Sequence, residues 1–261
     1  MNKPTQVFAN AILALSMAVF SCQQQENVSP SKDDPYALTY IKSLGFKSQD
    51  IAKIGSTYFV QGDIMFSDTL KAPIAKGGRT EQYYYGPLID VSHQRDIKIK
   101  INSNISSLYY QIQDAVTMWN NVASQGSNIG LRVVSSGTYD IEISSVPSLG
   151  TCGSSAYPSN GAPGAVIYID LGVLGGAYSD AQKVKTVAHE IGHALGFVHT
   201  NWNNGGGGPS GIDVPGVGGN DPNSIMNGNQ CNTGATTLST NDKAALVALY
   251  PINRPYSLVY N

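Results

Sequence analysis

The chain has 261 residues, of which 13% are charged, and its formal net charge is −2. No basic patch of the kind found in nucleic-acid-binding proteins occurs, so we expect no nucleic-acid partner. The length allows one large domain with a small additional unit.

The first 21 residues are typical of a targeting segment and not of a folded domain. Lys3 supplies a positive charge, and residues 7–20 form an apolar stretch too short for a convincing transmembrane span. The sequence Val-Phe-Ser-Cys that ends at Cys22 resembles a bacterial lipoprotein cleavage box, which predicts a lipid on Cys22. Because phenylalanine is unusual in that box, ordinary secretion is the alternative.

Residues 22–34 are predicted to be a flexible tether after this lipid. We therefore expect an extracytoplasmic protein of the bacterial cell envelope, a monomer that meets a membrane only through its lipid anchor. Residues 35–80 are predicted to form a small N-terminal unit. Within it, the pattern indicates a helix from Pro35 to Phe46 that ends at Gly45, and a strand from Ile54 to Phe66.

Residues 90–261 are predicted to form the larger domain. Isoleucine and lysine alternate from Asp96 to Ile101, which indicates a half-buried strand, and the apolar positions of Ser107–Ala123 indicate a helix. Further strands are expected at Ile129–Val134, Tyr139–Ser144 and Ala165–Leu171. We interpret Ala165–Leu171 as an edge strand that pairs with an extended substrate. The alternative is an ordinary internal strand.

The segment from Val187 to His199 contains three of the four histidines of the chain. Ser179 and Gln182 have the spacing of a capping box at the start of a helix. On that helix His189 and His193 lie one turn apart on one side, as two ligands of one zinc ion require. Gly196 would end the helix, because glycine adopts the left-handed conformation at little cost, and His199 could then return as the third ligand.

Three protein ligands with an open fourth position are typical of a catalytic zinc site. We therefore expect one Zn²⁺ ion on His189, His193 and His199, with Glu190 as the general base for a water molecule. The predicted reaction is hydrolysis of an amide, above all a peptide bond, so the expected partner is a protein or peptide substrate. The fourth histidine, His93, lies outside the motif and is expected to be a surface residue.

The complete HExxHxxGxxH motif resembles that of the metzincin clan of zinc endopeptidases. A second similarity is to the metzincin Met-turn, at Ser224-Ile225-Met226-Asn227. The methionine of this segment lies 27 residues after His199. Together with Asp221-Pro222-Asn223, the HEIGH sequence looks most like the bacterial dual-action HEIGH metallopeptidase family. Leu238–Tyr250 is similar to the last helix of matrixin-like metzincins.

This resemblance implies an α+β metzincin-like fold: a mixed twisted sheet with two long helices, the Met-turn and a C-terminal helix, preceded by a prosegment-like unit. It also implies that Met226 is a structural floor beneath the metal. Astacin-type metzincins carry a tyrosine shortly after this methionine, whereas Asn227-Gly228 follow it here. The side chain that stabilises the oxyanion is therefore not assigned.

Gln61-Gly62-Asp63-Ile64 resembles the G-D-I stretch of astacin prosegments, in which the aspartate caps the zinc ion. The resemblance implies that Asp63 is a zymogen switch and that residues 35–80 are a removable inhibitor. The basic, glycine-containing run Lys76–Arg79 is the expected cleavage point. The alternative is a permanent N-terminal subdomain with Asp63 in a plain turn.

Two cysteines remain when Cys22 carries a lipid. An even remainder in an oxidising compartment predicts a disulfide between Cys152 and Cys231, with two free thiols as the alternative. Gly205–Asn220 is expected to be a long loop beside the cleft, and Asp213 and Asp221 are interpreted as solvated side chains rather than calcium ligands.

Two other functions compete with a zinc endopeptidase. One is a binding lipoprotein on a catalytically inactive metzincin scaffold, against which the intact Glu190 argues. The other is a zinc hydrolase of a non-peptide amide, which a deep closed pocket would favour.

Overall fold

A computed structural model describes residues 36–43, 46–70, 83–84, 88–176, 178–201, 212–217 and 220–252. The predicted targeting segment, Cys22 with its lipid, the tether, Gly45 and the run Lys76–Arg79 lie outside the described residues. So does most of the glycine-rich loop, at residues 205–211 and 218–219. Among the described residues, no helix has both the length and the apolar character needed to cross a membrane.

The N-terminal unit consists of one helix and three short strands. They are α1 (Tyr36–Ser43), β1 (Ile51–Ile54), β2 (Thr57–Val60) and β3 (Ile64–Ser67), and the strands form an antiparallel meander. The helix confirms the prediction, but the single strand expected from residue 54 to 66 is wrong. Its turns fall at Gly55 and at Gln61-Gly62, which have φ values of 59°, 54° and 92°. Such left-handed conformations reverse the chain and cannot continue a strand.

The elements predicted for the larger domain occur in the predicted order, and three further strands and two short helices occur with them. Its strands are β4 (Tyr83–Tyr84), β5 (Ile97–Ile101), β6 (Leu131–Val134), β7 (Ile141–Ser145), β8 (Gly153–Ala156), β9 (Val166–Ile169) and β10 (Ile212–Asp213). Its helices are α2 (Val91–Gln94), α3 (Tyr109–Ala123), α4 (Leu171–Leu174), α5 (Asp180–Ala194) and α6 (Thr240–Leu249). The additional strands are β4, β8 and β10, and the additional helices are α2 and α4. The Gly-Ser-Ser-Ala sequence of β8 has little intrinsic preference for a strand.

Eight of the strands form one mixed sheet in the order β1-β2-β3-β8-β9-β7-β5-β6. Strands β9, β7, β5 and β6 run parallel to one another, whereas β8 is antiparallel to β9. The prediction that Ala165–Leu171 is an edge strand is therefore wrong, because β9 has neighbours on both sides. Strand β8 is the last strand of the larger domain on that side, and β3 of the N-terminal unit pairs with it in parallel.

Two apolar clusters hold these elements together. The larger lies between the sheet and helices α3, α5 and α6, where Trp119 stacks on Phe197 at 5.6 Å between ring centroids. The indole Nε1 of Trp119 donates a hydrogen bond to the carbonyl oxygen of Ala188 at 2.9 Å, which fixes α5 against α3. The smaller cluster surrounds α1 and β1–β3 and includes Tyr157 and Val198 of the larger domain. The α+β arrangement predicted from the sequence is thereby confirmed.

Candidate metal centre

Helix α5 places two histidines on one side of the sheet. Its N-terminus has the predicted capping box, in which the Ser179 side chain accepts from the Gln182 backbone N–H and the Gln182 side chain accepts from the Ser179 backbone N–H. The helix then runs to Ala194, so that His189 and His193 are one turn apart and their Nε2 atoms lie 2.9 Å apart. Both side chains are buried.

The chain turns back after this helix at Gly196, whose φ of 99° is the left-handed conformation expected at a helix end. This turn brings His199 to the same centre, with its Nε2 atom 3.3 Å from Nε2 of His189. The backbone of Gly228 packs against the His199 ring so closely that an added Cβ would lie 2.5 Å from Nδ1. A residue with a side chain at position 228 would therefore displace the imidazole.

Backbone carbonyls fix the protonation of two of these imidazoles. Nδ1 of His189 lies 2.6 Å from the carbonyl oxygen of Ile225, and Nδ1 of His193 lies 2.8 Å from that of Phe197. A carbonyl oxygen only accepts, so in each ring Nδ1 carries the proton. Burial, in the first place, lowers the pKa of both histidines, which keeps the rings neutral and leaves a lone pair on each Nε2.

Asp63 of the N-terminal unit completes the cluster. Its Oδ2 atom lies 3.1 Å from Nε2 of His199 and 3.8 Å from Nε2 of His189, and its Oδ1 atom lies 3.9 Å from Nε2 of His193. Burial alone would raise the pKa of Asp63, but the three imidazoles outweigh it and hold the pKa below its ordinary value. The carboxyl group is therefore ionised and faces the three ring nitrogens.

The arrangement suits a metal ion. The four side chains offer nitrogen and oxygen atoms that all lie within 4.8 Å of one another. Lone pairs of neutral imidazoles that face each other at about 3 Å repel, and a cation between them removes this repulsion. Oδ1 of Asp63 is buried and has no hydrogen-bond partner among the described residues, so a cation would also satisfy that atom.

Glu190 is buried beside this cluster, and its Oε2 atom has no hydrogen-bond partner in the described part of the chain. Burial raises the pKa of Glu190 well above its ordinary value, the Asp63 carboxylate raises it further, and Lys185 opposes both effects. Gly153 of β8 lies directly against the side chain, because a Cβ built there would be 2.7 Å from Oε1 of Glu190. The absence of a side chain at residue 153 gives Glu190 its space.

Met226 is fully buried against the helix that carries His189 and His193. It packs against Gly192 of α5, where an added Cβ would lie 2.4 Å from the methionine sulfur. The carbonyl oxygen of Met226 accepts a hydrogen bond from the Thr200 backbone N–H at 3.0 Å, which ties the turn to the segment that carries His199. These contacts join Met226 to α5 and to the segment of His199, and its role as a floor beneath a metal ion stays a prediction.

Asp242 of α6 holds the same turn from the other side. This buried carboxylate accepts hydrogen bonds from the Ser224 hydroxyl and from the Ile225 backbone N–H, the latter at 3.1 Å. Because the Ile225 carbonyl in turn receives the His189 Nδ1–H, Asp242 fixes the turn that orients His189. Ser239 and Asp242 also form the capping box of α6. The sequence analysis did not assign this role, although the Ser-x-x-Asp spacing is visible in the sequence.

A disulfide joins Cys152 and Cys231, with 5.7 Å between their Cα atoms. It connects the segment before β8 to the segment after the Met-turn, and both segments line a cavity of about 350 Å³ beside Glu190. A larger cavity of about 570 Å³ lies against α6 and includes none of the histidines, so it is unrelated to the metal centre.

Three further residues of the sequence analysis are placed by the structure. His93 is exposed on α2, as predicted. Asp221 is buried and accepts a hydrogen bond from the Asn223 backbone N–H at 2.9 Å, which makes it part of a turn and corrects its interpretation as a solvated side chain. Asp213 pairs with Tyr83 through β10 and β4. Lys185, which the sequence analysis did not consider, is buried in the cavity beside Glu190.

Comparison with known proteins identifies the family of the chain and two similar solved structures. The model of a protein family described as dual-action HEIGH metallo-peptidase matches residues 59–250. Two solved structures of myroilysin are similar at 19% sequence identity. One has a TM-score of 0.45 and covers 63% of this chain and 85% of its own, and the other has a TM-score of 0.42 and covers 70% and 99%. No curated protein matches the chain.

Proposed function

The chain belongs to the dual-action HEIGH metallo-peptidase family, and from this premise we propose that it is an extracytoplasmic zinc endopeptidase, made in a latent form, with Glu190 as its general base. As a metallopeptidase it is a hydrolase of proteins or peptides. The proposal adds that the metal is zinc, that Glu190 is the general base, that the protein is made in a latent form and that it is extracytoplasmic.

The convergence of three imidazole nitrogens carries the proposal. His189, His193 and His199 approach one another through Nε2, at 2.9 and 3.3 Å from His189. A set of three imidazoles with one further position is typical of catalytic zinc sites. The nitrogen and oxygen donors also suit zinc better than calcium or magnesium, which prefer oxygen ligands alone. Zinc bound there would lower the pKa of a water molecule to about 7 and polarise the carbonyl of the substrate.

The role of Glu190 follows from its position next to His189. Its unpartnered Oε2 atom is free to accept a proton from the attacking water. As a carboxylate, Glu190 would take that proton and then deliver it to the leaving amine. Gly153 confines the side chain on one side, so the carboxylate keeps a fixed orientation toward the centre.

Cleavage of a diverse peptide pool, read by mass spectrometry, tests this function. Wild type is compared with Glu190→Gln, which keeps the size of the side chain, and with Glu142→Gln as a matched control at an ion pair on β7. We expect Glu190→Gln to lose about two to four orders of magnitude in rate while it retains its zinc. The control should cleave like wild type. Silence of the wild type, also after residues 35–80 are removed, would refute a peptidase and favour a non-peptide amide.

The contacts of Asp63 support a latent form. Its carboxylate faces all three histidines, at the position that water and substrate would need. Strand β3, which follows it directly, pairs with β8 and occupies the backbone groups that an extended peptide would use. The carbonyl oxygen of Asp63 itself accepts from the Ser155 N–H at 2.7 Å. Asp63 and β3 would therefore obstruct both the metal and the peptide-binding edge, and cleavage at Lys76–Arg79 would release them.

Asp63→Ala tests this latency, with Asp68→Ala as the control. Asp68 belongs to the same unit but forms an ion pair with Lys53 at 3.3 Å, away from the histidines. We expect uncleaved Asp63→Ala to be more active than uncleaved wild type, yet less active than the cleaved enzyme, because β3 still covers β8. Asp68→Ala should remain latent. Equal latency of Asp63→Ala and wild type would show that the aspartate is not the switch.

The disulfide between Cys152 and Cys231 supports an extracytoplasmic location, since such bonds persist in oxidising compartments. The targeting segment and Cys22, outside the described residues, supply the proposed lipid anchor. Mass analysis of the mature N-terminus tests it: a lipid on Cys22 is expected, together with release of Cys22→Ala from the membrane fraction. An unmodified Cys22 would contradict the lipid anchor and would favour ordinary secretion.

A further inference from the structure

A polar cavity of about 350 Å³ opens beside Glu190. Helix α5 forms its floor, the segments around the disulfide form two walls, and the N-terminal unit closes it. The described residues that line it include Lys185, Glu190, Asp63, Cys152, Gln230 and Cys231. The volume lies in the range of cavities that hold small ligands or side chains.

Lys185 is the only lysine or arginine among the described residues that line this cavity. It is one helical turn before His189 and therefore faces the same side of α5, and only 3% of the residue is exposed. Its Nζ atom donates a hydrogen bond to the backbone carbonyl oxygen of Gln230. A carbonyl oxygen does not neutralise a positive charge, so this bond alone leaves a buried ammonium group without a full counter-charge.

Glu190 and Asp63 are the acidic groups whose charges act on Lys185. Burial lowers the pKa of Lys185 to about 8, and these two carboxylates act in the opposite direction. The side chain is therefore mostly protonated at neutral pH. When the N-terminal unit leaves, Asp63 leaves with it, and the buried ammonium group loses the influence of that negative charge.

We propose that Lys185 makes this cavity a subsite for a carboxylate of the peptide substrate, bound beside the metal centre once the N-terminal unit has been removed. This carboxylate is either an acidic side chain or the C-terminal carboxylate of the peptide. The inference rests on the proposed peptidase function and adds a substrate preference to it.

The walls of the subsite are fixed in advance. The disulfide joins the segment of Cys152 to that of Cys231, and the Cys152 backbone N–H also donates to the Cys231 sulfur at 3.2 Å. The Gln182 side-chain amide also donates to the carbonyl oxygen of Asn232, which ties the segment of Cys231 to α5. A cavity held at these points loses little conformational freedom when it binds a side chain, which favours selective binding.

The test compares matched peptides with the intact zinc-loaded chain, treated by limited proteolysis until its activity is maximal. The peptides carry Glu or Gln at each position within two residues of the scissile bond, and each is made with a free or an amidated C-terminus. Wild type, Lys185→Met, Lys185→Arg and the control Lys183→Met are assayed for kcat/KM. Lys183 lies on the same helix but pairs with Asp180 at 3.6 Å.

We expect wild type to prefer the carboxylate at one fixed position by at least about tenfold, which corresponds to about 1.4 kcal/mol. Preference for Glu over Gln would identify a side chain as the occupant, and preference for the free acid over the amide would identify the C-terminus. Lys185→Met should lower the ratio to about one, whereas Lys185→Arg and Lys183→Met should keep it.

A wild-type enzyme that cleaves the Gln and amidated peptides as well as their acidic partners would overturn the subsite, and so would a preference that survives in Lys185→Met. The wild-type result decides the matter even if Lys185→Met does not fold. If no peptide of either kind is cleaved, the peptidase function itself fails and the subsite fails with it.

Discussion

Removal of the disulfide between Cys152 and Cys231 has a consequence for stability that can be calculated from its place in the chain. The two cysteines are separated by 79 residues. A cross-link that closes a loop of this length lowers the entropy of the unfolded chain by an amount equivalent to about 4.5 kcal/mol at 25 °C. The double variant Cys152→Ala/Cys231→Ala should therefore lose about 4 kcal/mol of its free energy of unfolding.

Urea unfolding, followed by tryptophan fluorescence at constant zinc concentration, measures this loss. Trp119 is suitable because it lies buried between α3 and α5. Wild type treated with a reductant should lose the same amount as the double variant, which separates the cross-link from the effect of the alanines. A loss below about 1 kcal/mol in both would refute the reasoning and would mean that the bond does not constrain the unfolded chain.

Three other substitutions act on the centre through packing. Gly153→Ala should lower kcat by at least about tenfold with zinc retained, because the methyl group would displace the Glu190 carboxylate, which it would meet at 2.7 Å. Gly228→Ala should instead weaken zinc binding, measured by competition with a chelator, because its Cβ would lie 2.5 Å from Nδ1 of His199. Asp242→Ala should cost about 2 kcal/mol or more in urea unfolding, since it leaves buried donors of the Met-turn and a helix cap unpaired.

The outcomes that would contradict these three predictions are distinct. Wild-type kcat in Gly153→Ala would show that β8 does not confine the base. Unchanged zinc affinity in Gly228→Ala would mean that His199 has room to move. A loss below about 0.5 kcal/mol in Asp242→Ala would show that water replaces the carboxylate, as it does at exposed helix caps.

The helical part of the centre could be predicted because its geometry is local. A capping box at Ser179 and Gln182 fixes where α5 begins, and the spacing of His189 and His193 then decides which side they face. Gly196 adopts a left-handed conformation, which lets the chain turn back and bring His199 to the two histidines of the helix. Each of these inferences depends on a few neighbouring residues.

The sheet could not be read in the same way. The pairing of β3 with β8 joins residues about 90 positions apart, and nothing in either short segment specifies the other. Strand β8 consists of small residues, and its Gly153 leaves space for Glu190. Small residues have a low intrinsic propensity for strands, so the sequence does not indicate a strand there. The interpretation of β9 as an edge followed from missing β8.

Lys185 and Asp242 stand out in the sequence, but the residues that they contact in the folded protein cannot be identified from it. A lysine one turn before His189 on the same helix face is unusual for a side that is otherwise buried. Asp242 was visible as the last residue of a capping box, but its bonds to the Met-turn depend on how α6 packs. Tertiary contacts gave both residues their roles.

The metal centre is tested most directly by zinc X-ray absorption on the purified, uncleaved protein. Three imidazole nitrogens and one carboxylate oxygen at about 2.0–2.1 Å are predicted for wild type. Asp63→Ala should keep the three imidazoles and lose the carboxylate contribution. Fewer than three imidazoles, or a sulfur ligand at about 2.3 Å, would contradict the assignment of His189, His193 and His199.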